Sequence, residues 1–114
     1  MKEAASDYRR VLALEPQRTA IAAKLALVLH AMGDATAAQR TLTACIASAA
    51  KSSVEPYIAL ATIREQAGDV GGAIQACRDG LVHFEGDALL QLHCAILHYQ
   101  VREKTTTTSL MKKI

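Results

Sequence analysis

Three residues near the carboxyl end of the chain have side chains that bind metal ions in other proteins: His93, Cys94 and His98. Cys94 and His98 are four residues apart, so a helix would place them on one face, as a pair of zinc ligands requires. One helix supplies at most two of the four ligands of a zinc site. The other cysteines, Cys45 and Cys77, stand among apolar residues. We therefore expect no metal ion and interpret the cysteines as packed thiols beside half-exposed histidines.

Two further patterns resemble parts of a catalytic or cofactor site. A cysteine nucleophile needs a lowered thiol pKa and an oxyanion site, and no motif for either accompanies Cys94. The segment 68–72, Gly-Asp-Val-Gly-Gly, is rich in glycine but lacks the lysine, the Ser or Thr and the preceding strand of a phosphate loop. It indicates a helix turn followed by a close helix contact, and Gly80 indicates another such contact. We expect neither catalysis nor a cofactor.

The composition favours an all-α protein. Hydrophobic residues make up 51% of the chain but aromatic residues only 4%, and alanine and leucine, which cost a helix least, dominate. Valine and isoleucine occur singly and do not alternate with polar residues over the length of a strand. These features predict packed helices without a sheet.

The distribution of charge argues against a nucleic-acid partner. Residues 1–101 hold 9 basic and 10 acidic residues, while 102–114 hold four basic and one acidic. A protein that binds nucleic acid usually concentrates basic residues on one face of its fold, because neutralising phosphates supplies most of the non-specific affinity. The nearly neutral body predicts no such face.

The cysteines and the amino-terminal segment indicate in which cellular compartment the protein is expected. The three cysteines form no CxxC pair, which favours reduced thiols inside a cell. The segment 1–7 carries charges where a signal peptide has an apolar stretch, and no run approaches 18 uncharged apolar residues. We expect a soluble, cytoplasmic protein with no membrane contact.

A repeat of about 34 residues runs along the chain. The pairs Gly33-Asp34 and Gly68-Asp69 lie 35 residues apart, Ala38 and Ala73 each follow the glycine by five, and Ala4 precedes Ala38 by 34. In each pair the glycine would adopt a left-handed conformation after one helix, and the aspartate would cap the next. With Pro16 ending the first helix, the predicted helices are 2–14, 19–32, 35–49, 54–67, 70–83 and 87–101.

This pattern resembles the tetratricopeptide repeat family, whose unit reads W-x2-L-G-x2-Y, then A-x3-F, then P. The matching positions of the first complete unit are Ala22, Leu25, Ala26, Leu29, Gly33, Ala38 and Leu42. Those of the second unit are Tyr57, Leu60, Ala61, Arg64, Gly68, Ala73 and Cys77. Small residues recur where helices must approach, but most of the large aromatic positions are replaced.

The resemblance implies one repeat domain over 1–101. The second helix of a partial unit spans 2–17 and is marked by Ala4, Tyr8 and Pro16. Full units span 19–53 and 54–86, where an extra residue in the loop 50–53 explains the spacing of 35. The first helix of a degenerate unit spans 87–101, and 102–114 is expected to be a basic, threonine-rich flexible tail.

The resemblance also implies a right-handed superhelix whose first helices line a concave groove for a peptide or a partner helix. The groove positions implied by the family are Ala23, Leu27, His30, Ile58, Thr62, Glu65, Leu92, Ile96 and Tyr99. Family members that grip the acidic tails of heat-shock chaperones use lysine, arginine and asparagine there. Since this chain has none of these at those positions, we expect a scaffold or adaptor with an apolar groove, working within a larger assembly.

Two other functions remain open on the sequence. The spacing of 35 also suits the pentatricopeptide family, which binds single-stranded RNA, although the neutral body and the spacing from Ala4 disfavour it. A helix-bundle metal protein would rely on His93, Cys94 and His98 alone. The last predicted helix is apolar nearly all round, so self-association through it is a further expectation. Because the pattern begins inside one repeat and ends inside another, the expectation is either a fragment of a longer array or a subunit whose open ends pack on neighbours.

Overall fold

The computed structural model describes residues 2–15, 18–49 and 53–113, with side chains for 2–15, 18–48 and 53–102. The described chain is all-α, as the composition predicted. Its six helices are α1 (Lys2–Leu14), α2 (Thr19–Ala31), α3 (Ala35–Ala49), α4 (Glu55–Gln66), α5 (Val70–His83) and α6 (Ala88–Lys113). Pro16 and residues 50–52 of the predicted loop lie outside the described residues.

The predicted boundaries of the first five helices agree with the structure to within one residue, but the end of the sixth does not. Helix α6 continues past the predicted end at 101 to Lys113, so the backbone of the expected flexible tail is helical. Threonine costs a helix less than about 1 kcal/mol relative to alanine. Extending an existing helix also avoids the cost of nucleation. The threonine run therefore does not stop a helix that is already anchored on the protein.

The two turns predicted from glycine have the expected backbone. Gly33 has φ of 90° and Gly68 has φ of 86°, the left-handed region that glycine enters without a Cβ penalty. Asp34 N donates to Leu29 O at 2.9 Å and Gly33 N to His30 O at 3.0 Å. This pattern of two bonds satisfies carbonyls at the end of α2.

The aspartates after these glycines cap the next helix, as predicted. Asp34 Oδ1 accepts from Ala37 N at 3.1 Å, and Asp69 Oδ1 accepts from Gly72 N at 2.9 Å. Each carboxylate thereby satisfies one of the unpaired amides of a helix start. After the second turn, an added Cβ at Gly71 would meet nothing within 4 Å, whereas Gly72 O accepts from Arg64 Nη1 of α4 at 3.0 Å. The expected helix contact therefore lies at Gly72.

A third Gly-Asp pair, Gly86-Asp87, lies in the loop that was predicted between 83 and 87, although the repeat did not include it. Gly86 has φ of 83°, and Asp87 Oδ2 accepts from Leu90 N at 3.0 Å. The pair lies 18 residues after Gly68-Asp69, so it does not follow the period of 35. Asp87 N donates to Phe84 O at 3.0 Å, so this pair shares the aspartate cap of the other two but not their hydrogen bond across the helix end.

The helices pack as neighbours in chain order, with additional contacts between alternate helices. Helix α2 packs on α1, α3 and α4, helix α4 on α3 and α5, and α5 on α6. The core between them consists largely of small side chains, and Ala26, Ala38 and Ala73 are fully buried. This confirms Ala38 and Ala73 as helix contacts. The right-handed superhelix itself stays a prediction.

The first helix departs from the expected register. Ala4 is half-buried, whereas its neighbour Ala5 is 2% exposed and belongs to the core. Tyr8 is half-buried and packs against the core. Ala38 and Ala73 lie on α3 and α5, each of which packs on the helix that precedes it. Within the described chain α1 has no preceding helix, so its equivalent alanine lacks that contact.

Leucine at Ala38 or Ala73 is expected to lower the free energy of unfolding by about 1–3 kcal/mol, because neither site has room for three more carbons. Urea denaturation followed by circular dichroism measures the change. Ala47→Leu is the matched control, because Ala47 is exposed on the same helix as Ala38. Unchanged stability in both core variants would contradict the packing described above.

Candidate partner-binding surface

A groove runs between α2 and α4, with a volume of about 340 Å³. We call it the α2–α4 groove. Of its lining residues, Ala23 and Ala59 are buried, whereas Leu27 is exposed and Ile58 is half-buried. Its lining residues are Ala20, Ala23, Lys24 and Leu27 of α2 and Glu55, Ile58, Ala59 and Thr62 of α4.

The groove is apolar over most of its surface. The Thr62 hydroxyl donates to Ile58 O at 2.9 Å, within its own helix. Lys24 and Glu55 are both exposed, so one cation and one carboxylate border the depression. The groove can therefore bury apolar side chains of a ligand and offers one charged group of each sign near them.

Four of the nine predicted groove residues line this groove: Ala23, Leu27, Ile58 and Thr62. The structure also adds lining residues that the family positions did not include. These are Ala20, Lys24, Glu55 and Ala59. They were missed because the prediction took three positions from each first helix, whereas neighbouring turns of both helices border the depression.

His30 and Glu65 were also predicted to face the groove, but the structure uses them to connect helices. His30 Nε2 lies 2.7 Å from Gln66 Oε1, which joins α2 to α4. Gln100 Nε2 donates to Glu65 Oε1 at 3.1 Å, which joins α4 to α6. We call these two bonds the glutamine links. Gln66 and Gln100 are 34 residues apart, and that recurrence was the signal in the sequence.

The two ring nitrogens of His30 have different surroundings. Nε2 lies within hydrogen-bond distance of Gln66 Oε1. His30 Nδ1 is buried and has no hydrogen-bond partner among the described residues. The imidazole therefore joins α2 to α4 through one nitrogen, and its second nitrogen is enclosed by the protein rather than presented to a ligand.

The last three predicted groove residues, Leu92, Ile96 and Tyr99, lie on α6 and do not line the α2–α4 groove. They are 56%, 46% and 64% exposed, and Leu89 beside them is 55% exposed. We call these four residues the α6 stripe. Helix α6 packs mainly on α5, so the single groove predicted from the sequence becomes two apolar surfaces.

The structure places no further metal ligand beside His93, Cys94 and His98 in the described part of the chain. His93 and Cys94 are half-buried and His98 is exposed. In the described part of the chain, no group of three or more His, Cys, Asp or Glu residues is placed to hold a metal ion. The helix-bundle metal protein that was considered from the sequence thus has no observation to support it beyond the spacing of these three residues.

The buried thiols are not activated. Cys77 is fully buried, and desolvation, followed by the nearby Cys94 and Glu65, raises its pKa to about 11. Burial also raises the pKa of the Cys45 thiol. The thiolate is the nucleophilic form of cysteine, so both side chains are poor nucleophiles at neutral pH. Their environment is that of packing residues.

The raised pKa of Cys77 predicts a pH dependence of stability. An exposed thiol in the unfolded chain ionises at a pKa of about 8.5, whereas the folded thiol ionises at about 11. Between these values the folded state holds the proton that the unfolded state has lost. The free energy of unfolding therefore falls as the pH rises through this window. Urea denaturation across it should show a smaller fall for Cys77→Ala than for the wild type, and parallel curves would contradict the assignment.

None of the helices in the described residues combines the length and the apolar character needed to cross a membrane. Comparison with known proteins identified no relative: no family model, no curated protein and no solved structure matches this chain. The likeness to the tetratricopeptide family therefore stays a hypothesis that rests on the repeated residues and the predicted hairpins.

Proposed function

We propose that this chain is a non-enzymatic protein-interaction module that binds a peptide or a partner helix of a larger assembly in the α2–α4 groove. The observation that carries the proposal is the groove itself, an open apolar depression of about 340 Å³ between two helices that pack directly on each other. A concave apolar site with a few polar groups at its edge is the usual form of a binding site.

The exposed side chains of the groove provide the energy for binding. Leu27 is 46% exposed and Ile58 is half-buried, so a ligand can still remove part of each from water. Burying apolar surface stabilises a complex by about 25 cal/mol per Å². All the lining residues lie on helices α2 and α4, so no loop must first become ordered. We therefore expect apolar ligand side chains to anchor there.

The charges around the groove support a protein partner over RNA. Lys24 and Glu55 are its charged lining residues, and their charges cancel. An RNA-binding surface gains affinity from several cations along the phosphate backbone and from aromatic side chains that stack on bases. Neither feature lines this groove. RNA binding, the alternative suggested by the spacing of 35, therefore has the weaker support.

The proposal can be tested by selecting binders from a random peptide library displayed on phage, with the immobilised wild-type chain as target. Leu27→Glu places a charge at the side of the groove and should weaken selected peptides at least tenfold. Val82→Glu is the matched control, because Val82 is 78% exposed on α5, away from the groove. Failure to enrich any peptide, or equal binding to wild type and Leu27→Glu, would overturn the proposal.

A further inference from the structure

The α6 stripe is an exposed apolar seam on a helix that is otherwise anchored. Its four residues, Leu89, Leu92, Ile96 and Tyr99, follow a spacing of three, four and three, which puts them on one side of a helix. The opposite side of α6 is held by Leu90 and Leu97, which are 0% and 1% exposed. The stripe is therefore preformed, so a partner would not have to order this helix on binding.

The part of α6 that carries the stripe has no formally charged residue of its own. Residues 88–101 include no Asp, Glu, Lys or Arg, whereas the exposed face of a helix usually carries several. Ala88 and Ala95, both exposed and seven residues apart, border the stripe. Such small side chains allow a second helix to approach closely. Without charges on this helix face, no charge pattern selects a different protein as partner. For the same reason, two copies of the face do not repel each other.

We propose that the α6 stripe binds the α6 stripe of a second copy of this chain, with the two helices antiparallel about a twofold axis. The spacing of the stripe is symmetric about position 94. An antiparallel pair therefore sets Leu92 against Ile96 of the other copy, and Leu89 against its Tyr99. Each residue meets a large apolar side chain, as a self-complementary twofold interface requires.

The charges beyond the two ends of the stripe favour the antiparallel arrangement. Glu85 precedes α6 and Arg102 follows the uncharged segment, and both are exposed. Antiparallel helices bring the acidic end of one copy toward the basic end of the other, whereas parallel helices bring like charges together. The orientation is thus selected by charge at the ends, while the stripe supplies the apolar contact.

The exposed area of the stripe limits the affinity of the proposed dimer. Each of its side chains exposes on the order of 100 Å², so a dimer buries well below the roughly 1,600 Å² of a standard interface. We therefore expect a weak dimer that forms at micromolar or higher concentrations. This inference does not depend on the α2–α4 groove, since none of the stripe residues lines it.

Sedimentation equilibrium of the wild-type chain over a wide concentration range tests the dimer. The weight-average mass should rise from one chain toward two, and Ile96→Glu should raise the dissociation constant at least tenfold. Val82→Glu should leave it unchanged. Leu92→Glu provides a second interface variant if Ile96→Glu loses its helical circular dichroism. A monomer at every concentration, or an unchanged constant in both folded interface variants, would overturn the proposal.

Disulfide trapping tests the orientation. In a Cys94→Ala background, Leu92→Cys and Ile96→Cys chains are mixed and oxidised with copper phenanthroline. Antiparallel helices should give more disulfide between the two different variants than within either one. Preferential linking of Leu92→Cys to itself would indicate parallel helices and overturn the twofold arrangement. Peptide binding in the α2–α4 groove should be unaffected by Ile96→Glu, which keeps the two proposals separable.

Discussion

Gly80→Val is expected to lower the free energy of unfolding by about 3 kcal/mol. An added Cβ at Gly80 would lie 3.0 Å from Tyr57 Cβ, from Tyr57 Cγ and from Leu90 Cδ1. Tyr57 belongs to α4 and Leu90 to α6, so Gly80 is the point where α4, α5 and α6 meet. Tyr57 Cβ is attached directly to the backbone of α4 and cannot move without moving that helix.

Replacing glycine by alanine should change the free energy of unfolding in opposite directions at Gly71 and at Gly80. Gly71 lies on the same helix, and an added Cβ there meets nothing within 4 Å. Gly71→Ala should therefore raise the free energy of unfolding by about 0.5 kcal/mol, through helix propensity and a less flexible unfolded chain. Gly80→Ala gains the same propensity but meets Tyr57 and Leu90, so its net effect should be destabilising.

Chemical denaturation of the three variants decides the matter. The expected order of stability is Gly71→Ala above the wild type, then Gly80→Ala, then Gly80→Val. If Gly80→Ala were as stabilising as Gly71→Ala, the close approach of the three helices at Gly80 would be wrong. The sequence had indicated a helix contact at this glycine, and the structure supports that prediction by identifying the two residues against it.

Ile58→Glu is expected to weaken a peptide selected against the groove at least tenfold, or about 1.4 kcal/mol. Ile58 is half-buried and lines the α2–α4 groove, so a carboxylate there would have to lose water when an apolar side chain binds. The site already tolerates contact with solvent, so the helical circular dichroism should be retained. Isothermal titration of the wild type and the variant measures the change.

The salt dependence separates this apolar mode of binding from an electrostatic one. Binding in the groove should change little as salt is raised, because burial of apolar surface is not screened. Substituting Lys112 and Lys113 should likewise have little effect. If the lysine substitutions removed binding and affinity fell steeply with salt, the groove would not be the site, and the basic carboxyl end would take its place. Tyr99→Glu should leave groove binding intact, since Tyr99 belongs to the α6 stripe.

Local signals explain why so much of the fold was predictable. Gly33 and Gly68 end helices because only glycine enters the left-handed region without strain, and the aspartates that follow satisfy amides three residues on. Such interactions span a few residues, so they are readable without the tertiary structure. The alanines at 38 and 73 were readable because their recurrence reports a close contact that each hairpin must make.

The end of α6 is where a local pattern was misleading. A run of threonine predicts a helix end only if each residue forms its helix independently, whereas a helix anchored by Leu90 and Leu97 extends at little cost. The loop before α6 was predicted between 83 and 87, and the structure adds the positive φ of Gly86 and the cap at Asp87.

The sequence by itself determined the helical class, the turns and the buried alanines at 38 and 73, because these depend on local conformation and on a repeated contact. Only the tertiary structure decided that His30 and Glu65 link helices, that α6 presents a separate stripe, and that burial raises the pKa of Cys77. These properties depend on the distance and angle between helices. If one helix moved by a few ångströms against its neighbour, different side chains would meet. No local pattern in the sequence fixes that relative position.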